Sequence, residues 1–271
     1  MAARVITVTS GKGGVGKTTA TANIAVALAT LGKKVVCIDA DIGLRNLDVV
    51  MGLENRIVYD LVDVVEGRCK LRQAMVKDKR VADLYLLPAA QTRDKTAVSP
   101  QDMIALTNQL RADFEYILID SPAGIEWGFR NALAPADEVI VVTNPEVSAV
   151  RDADRIIGLI EADPRRVPTS LILNRIKPEM IRRGDMLSVN DVLEILSTRL
   201  LGVIPEDEHI LISSNRGAPL ALDDQHTPAG DAFMNVAQRL MGEKIPLLEL
   251  EHKDGFFRRL LRLFGASNSA P

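Results

Sequence analysis

Gly11-Lys12-Gly13-Gly14-Val15-Gly16-Lys17-Thr18-Thr19 is the stretch on which the reading of this chain turns. It has the form G-x-x-x-x-G-K-T, and its flanks are those a phosphate-binding loop requires, an apolar strand before it and a helix after it. Arg4-Val5-Ile6-Thr7-Val8-Thr9 carries the β-branched residues of a buried strand, while residues 18–31 place apolar side chains at helical spacing and close at Gly32. Glycines at the turn leave the backbone N–H groups of Gly13, Gly14, Val15, Gly16, Lys17, Thr18 and Thr19 to cradle phosphates, with a helix N-terminus behind them. In that scheme Lys17 neutralises the β and γ phosphates and the Thr18 hydroxyl holds Mg²⁺. Lys12 has no task there, and taken alone it reads as a solvated loop lysine.

Outward from the loop, short apolar strands alternate with helical stretches. Strands are expected at residues 5–9, 34–39, 84–88, 116–120, 138–143, 170–174 and 201–204, with helices at 100–110, 148–161, 189–200 and 231–240 between and after them. This order predicts an α/β fold of the P-loop NTPase type, a mostly parallel sheet with helices on both faces, in a single domain. The expected organisation is an ATPase domain over residues 1–242, a charged linker over 243–254, an isolated helix over 255–265 and a disordered tail over 266–271.

Ligand sites in open parallel sheets form beyond the carboxyl ends of the strands, so acids there come first. The second strand runs into Cys37-Ile38-Asp39-Ala40-Asp41 and the fourth into Ile119-Asp120-Ser121-Pro122-Ala123-Gly124. An aspartate closing an apolar strand is what Walker B chemistry uses, which makes Asp120 the metal-proximal acid, acting through a coordinated water. Asp39 and Asp41 lie two apart and differ in role once the strand has ended between them. Each acid, taken singly, is also compatible with a plain strand-end turn.

GKGGVGKTT resembles the deviant Walker A motif of the MinD/ParA family of dimerising ATPases. The resemblance implies that ATP with Mg²⁺ holds two subunits together and that Lys12 reaches across the interface to the partner's nucleotide, in the manner of an arginine finger. It further implies that Asp41 orients or deprotonates the attacking water, that Asp39 supports the Mg²⁺ shell, and that residues 120–124 form the second switch. The adenine would lie near Asn174 and Arg175 and the loop at Pro205, with Asn174 as an ordinary turn residue the competing reading. Asp41 to Asp48, Leu87 to Lys95, Thr143 to Arg155 and Arg183 to Ser188 carry the likeness to the septum-positioning branch of the family, in which the helix after Asn144 binds the division inhibitor MinC and the topological factor MinE. Carried over, Glu146, Ser148, Asp152 and Asp154 are candidate partner contacts; read without the family they are a solvated helix face.

The far end of the chain holds the second strong signal. At about 100° per residue Phe256, Phe257, Leu260, Leu261, Leu263 and Phe264 fall within an arc of roughly 160°, and Arg258, Arg259 and Arg262 occupy the rest. Apolar residues facing one way and arginines the other make an interfacial helix drawn to anionic lipid, against the alternative of a helix docked on protein. About three turns bind weakly alone, so two copies in an ATP-held dimer are needed for lasting attachment.

Composition narrows the field. Acids number 36 against 33 bases, so no global positive field favours nucleic acid, and specific binding to it is not expected. Cys37 and Cys69 are far apart and lack the spacing of a zinc or iron–sulfur site, which disfavours a cluster reductase on this fold. No secretory segment and no long apolar run is seen, so a cytoplasmic protein, peripheral on the inner face of the membrane, is expected. A flagellar-positioning or DNA-partition ATPase of the same family remains the alternative.

Overall fold

The computed structural model describes residues 3–222 and 226–247. In chain order its elements are β1 (Arg4–Thr9), α1 (Lys17–Thr30), β2 (Val35–Asp39), α2 (Leu47–Val50), α3 (Leu61–Val65), α4 (Leu71–Ala74), β3 (Val76–Lys77), β4 (Leu84–Leu87), α5 (Pro100–Leu110), β5 (Tyr116–Asp120), α6 (Trp127–Leu133), β6 (Glu138–Thr143), α7 (Val147–Glu161), β7 (Thr169–Ile176), α8 (Pro178–Arg183), α9 (Val189–Leu196), β8 (Arg199–Pro205), α10 (Glu208–Asn215) and α11 (Pro228–Leu240). The strands form one sheet in the order β3-β4-β2-β5-β1-β6-β7-β8, and every pairing is parallel except β3 with β4.

Period-two alternation divides the strand residues between two cores. Ile6, Val8, Cys37, Leu118, Ile140, Val142 and Ile172 face the layer of α1 and α11. Val5, Val36, Ile38, Ile117 and Ile119 face the opposite side, beside the cluster of Val139, Val141, Leu171 and Leu173 under α7 and α9. Helix α1 is alanine-rich, and its Ala22, Ala25 and Ala27 are wholly buried, small enough to let α11 pack against it as well as the sheet. Phe233 of α11 fills part of that layer.

All seven expected strands are present, and the antiparallel edge strand β3 adds an eighth. The helix expected over 189–200 ends at Leu196, because Ser197 takes a left-handed φ of 47° and its N–H closes the last turn on Leu193. Leu200 therefore belongs to β8, against the sequence reading. The helix expected over 255–265 and the tail over 266–271 lie outside the described residues, as does the linker beyond residue 247. Among the described residues no helix is long and apolar enough to cross a membrane.

Strand order sets the site. At the carboxyl edge the sheet presents, in sequence across it, Asp39 from β2, Asp120 from β5, the glycine loop after β1, the turn after β6, Asn174 in β7 and Pro205 at the end of β8. Chain direction across the sheet reverses at β1, with β2 on one side and β6 on the other, so the glycine loop opens into the crevice that such a reversal leaves.

Candidate nucleotide site

The glycine loop turns at Gly14 and Gly16, whose φ values of 79° and 94° lie in the left-handed region. Gly16 is the N-cap of α1 and its carbonyl accepts the N–H of Ala20, so the first amides of the helix stay directed at the loop. Nothing lies within 4 Å of where a Cβ on Gly13 or Gly14 would stand, which leaves open space over the loop. Gly11 differs: a Cβ there would meet the Asp152 backbone at 2.2 Å, so the loop rests directly on α7.

Asp120 gathers the loop's polar side chains. Its Oδ1 accepts from Lys17 Nζ at 2.9 Å and from Thr21 Oγ1 at 3.2 Å, and its Oδ2 accepts from Thr18 Oγ1 at 2.7 Å. Lys17 and Asp120 are both buried, and the hydroxyls help to satisfy the carboxylate in that setting. Thr18 and Asp120 thus bring a hydroxyl and a carboxylate together, the hard oxygen donors that Mg²⁺ takes beside phosphate. Thr21 is absent from the sequence reading. It sits one turn beyond Lys17, where helical spacing is a signal only once Asp120 is placed.

Asp39 is wholly buried, opposite Asp120 in the sheet register. Its Oδ1 accepts the N–H of Asp41 at 2.9 Å and its Oδ2 those of Asn46 and Leu47 at 3.2 and 3.1 Å. Burial and the neighbouring Asp120 push its carboxyl up to about 7, against the opposing pull of its backbone donors and Lys17. Asp39 therefore anchors the loop over 41–47 from beneath, and its oxygens are occupied by backbone donors. Asp41 is half-buried and its carboxylate makes no hydrogen bond among the described residues. Burial raises its pKa while Lys17 and Lys95 oppose the rise. An acid with free lone pairs on a loop held from below is suited to accept a proton from water.

On the other side of the loop, Lys12 Nζ stands 3.3 Å from Glu146 Oε2 and 3.2 Å from Ser148 Oγ, all three exposed. The lysine assigned by resemblance to a second subunit is thus engaged within its own chain, by two residues assigned to partner binding. Asp154 is exposed further along α7, and Asp152 is half-buried beneath Gly11. Asn174 donates from Nδ2 to the Val15 carbonyl at 2.8 Å, while its Oδ1 is buried with no hydrogen-bond partner. That orphaned acceptor suits the exocyclic amine of adenine. Arg175, at φ 57°, and Lys177 approach Glu206 at 3.9 and 4.0 Å, and Pro205 pairs with Ile176, so Asn174, Arg175 and Pro205 come together at one corner.

Trp127 and Phe129, for which the sequence offers no role, fasten the start of α6. Phe129 is buried in the core, and Trp127 Nε1 and Asn131 Nδ2 both donate to the Val98 carbonyl, at 3.1 and 2.7 Å. Gly128 lets α6 lie on Pro122, since a Cβ there would reach its ring at 2.4 Å. Gly124 closes the segment by donating its N–H to the Ser10 carbonyl at 3.0 Å. Cys37 is wholly buried, and burial pushes its thiol well up, with Asp120 and Asp39 adding to it.

Comparison with known proteins gives consistent likenesses. The family model described as AAA domain matches residues 3–171. The septum site-determining protein MinD of Bacillus subtilis (strain 168) is 53% identical over 96% of this chain and 97% of its own length. That of Synechocystis is 56% identical over 91% and 92%. Among solved structures, the MinC:MinD cell division protein complex of Aquifex aeolicus superposes with a TM-score of 0.84 at 52% identity, covering 92% of this chain and all of that one. The septum site-determining protein MinD complexed with Mg-ADP from Pyrococcus horikoshii OT3 gives 0.79 at 30% identity, over 90% of this chain and all of that one.

Proposed function

This chain belongs to the MinD family of septum site-determining P-loop ATPases, and on that premise we propose that it is a Mg²⁺-dependent ATPase whose ATP-bound dimer attaches to the inner membrane surface and recruits a MinC-type division inhibitor. The observation that carries the proposal is the convergence of Lys17, Thr18 and Thr21 on Asp120 beneath an open glycine loop. When the triphosphate enters, Lys17 turns from Asp120 to the β and γ phosphates. Thr18 and Asp120 would hold Mg²⁺, which when bound would supply positive charge beside the phosphates. Asp41 takes a proton from the water attacking in line, and the loop amides stabilise the charge spreading over the transferred group. Asn174 Oδ1 accepts from the adenine amine, with Arg175 and Pro205 bounding the base.

Lys12 completes the switch. Its pairing with Glu146 is exposed, a class of contact worth only about 0–1 kcal/mol, so a triphosphate on a second subunit can displace it. Release of Lys12 frees Glu146 and Ser148, and these with Asp152 and Asp154 form the surface offered to MinC and to a MinE-type topological factor. The relative from Aquifex aeolicus was solved in complex with MinC, and the one from Pyrococcus horikoshii OT3 with Mg-ADP, which supports carrying both ligands to this chain. Sedimentation with anionic liposomes under ATP or ADP, with and without the division inhibitor, tests the proposal. Co-sedimentation of both proteins under ATP alone is expected, and equal sedimentation under ADP overturns it.

A further inference from the structure

The segment that follows the Asp41 loop and the segment that follows the base loop end against each other. Helix α2 begins where Asp39 accepts the N–H groups of Asn46 and Leu47, and it leads into Met51 and Gly52. Helix α10 begins just after Pro205 and Glu206, packs against α2, and leads into Gly217. Gly52 and Gly217 are both left-handed, with φ of 63° and 60°. Their backbones touch: a Cβ on Gly52 would stand 2.4 Å from the Gly217 carbonyl oxygen, and one on Gly217 2.5 Å from the Gly52 Cα.

Arg80 spans this junction. Nη1 donates to the Gly217 carbonyl at 2.7 Å and Nη2 to the Met51 carbonyl, while Nε and Nη2 hold Asp78 at 3.1 and 2.6 Å. Asp78 is buried, so the guanidinium plane is fixed from behind while its other edge ties two separate loops. Only a fork of donors in one plane makes all four contacts; an ammonium does not.

We propose that Arg80 is a positioning residue that, with the Gly52–Gly217 contact, couples the base end of the nucleotide site to the Asp41 loop. A nucleobase seated at Asn174 and Pro205 fixes the start of α10. Its far end, through Arg80, fixes α2 and thereby the amides that Asp39 holds. The coupling rests on the nucleotide-site reading above, and its elements form a continuous chain of packed and hydrogen-bonded contacts.

Hydrogen exchange on the full chain with Mg²⁺ separates the two ends, using ATP in one arm and inorganic tripolyphosphate, which fills the phosphate loop without a base, in the other. In the unaltered protein residues 41–51 are expected to exchange about fivefold more slowly with ATP than with tripolyphosphate, a factor at the low end for coupled sites. In Arg80→Gln that difference disappears while the protection given by tripolyphosphate persists. Arg80→Lys keeps a cation beside Asp78, guards against a failure to fold, and is expected to lose the difference as well, with kcat lowered and KM unchanged. The proposal is overturned if the difference survives in both variants, if both ligands lose protection equally, or if the unaltered protein shows no difference. Absence of ATP protection at residues 13–18 would instead overturn the nucleotide site itself.

Discussion

At the scale of single residues the site rests on a division of labour among three aspartates that differ in what their oxygens touch. Asp120 is taken up by Lys17, Thr18 and Thr21, and Asp39 by three backbone N–H groups, whereas the Asp41 carboxylate is uncommitted. Of the three, Asp41 alone has both carboxylate oxygens without a hydrogen-bond partner among the described residues, so it is the one best placed to take a water proton. Asp41→Asn keeps the size of the side chain and removes its basicity, so ATP hydrolysis is expected to fall by about 10²- to 10⁴-fold. Nucleotide affinity, measured with a fluorescent ATP analogue, should change by less than about threefold, since the Asp41 carboxylate makes no hydrogen bond to the loop that cradles phosphate. Unchanged phosphate release in this variant would remove Asp41 from the reaction.

At the scale of elements, the end of the sheet away from the site is fastened by charge. Asp137, before β6, accepts the Val5 N–H at 2.8 Å and both terminal nitrogens of Arg111, after α5, at 2.9 Å, which ties α5, β1 and β6 together. Burial works against the ionised form of Asp137, but Arg111 and the Val5 N–H outweigh it and hold the carboxyl below its ordinary value of 3.8. A carboxyl depressed on folding stabilises the fold above the ordinary value, and that contribution is lost as pH falls through the depressed one. Asp137→Asn should therefore cost about 1 kcal/mol at pH 7, a figure kept small because the pair is partly exposed to solvent. Urea melts should show the gap between variant and parent closing below pH 3.8; a constant gap would mean that packing, not charge, carries it. Such fastenings explain what could and could not be read from the chain alone. The glycine loop, the seven parallel strands and the acids closing β2 and β5 were legible because each is a local pattern: β-branched runs, turn glycines, an aspartate after an apolar strand. The end of α9 at Ser197 was not, because no glycine marks it and a serine takes the left-handed turn instead. Thr21, Arg80 and Trp127 were not, because each acquires its role from partners 99, 137 and 29 positions away.

At the scale of the whole molecule the proposed switch joins two weak interactions through one nucleotide. By the sequence pattern, residues 255–265 would make about three turns of amphipathic helix, too little for lasting attachment as a single copy. Held in pairs, the second copy binds at an effective concentration in the millimolar range, and avidity gains of about 10²- to 10⁴-fold follow with no new contact. In the proposed switch, pairing would in turn depend on Lys12 exchanging Glu146 and Ser148 for the partner's triphosphate. Two variants therefore break the attachment at different links. A chain ending at residue 254 should still dimerise under ATP by light scattering yet stay in the supernatant with anionic vesicles. Lys12→Ala should bind ATP, remain monomeric and also stay in the supernatant, although its own C-terminal segment is intact. Sedimentation of the shortened chain at the parent's level would place the membrane contact elsewhere on the molecule. Sedimentation of Lys12→Ala at that level would leave the anchor standing and remove the nucleotide's control over it, since one copy would then hold without a partner.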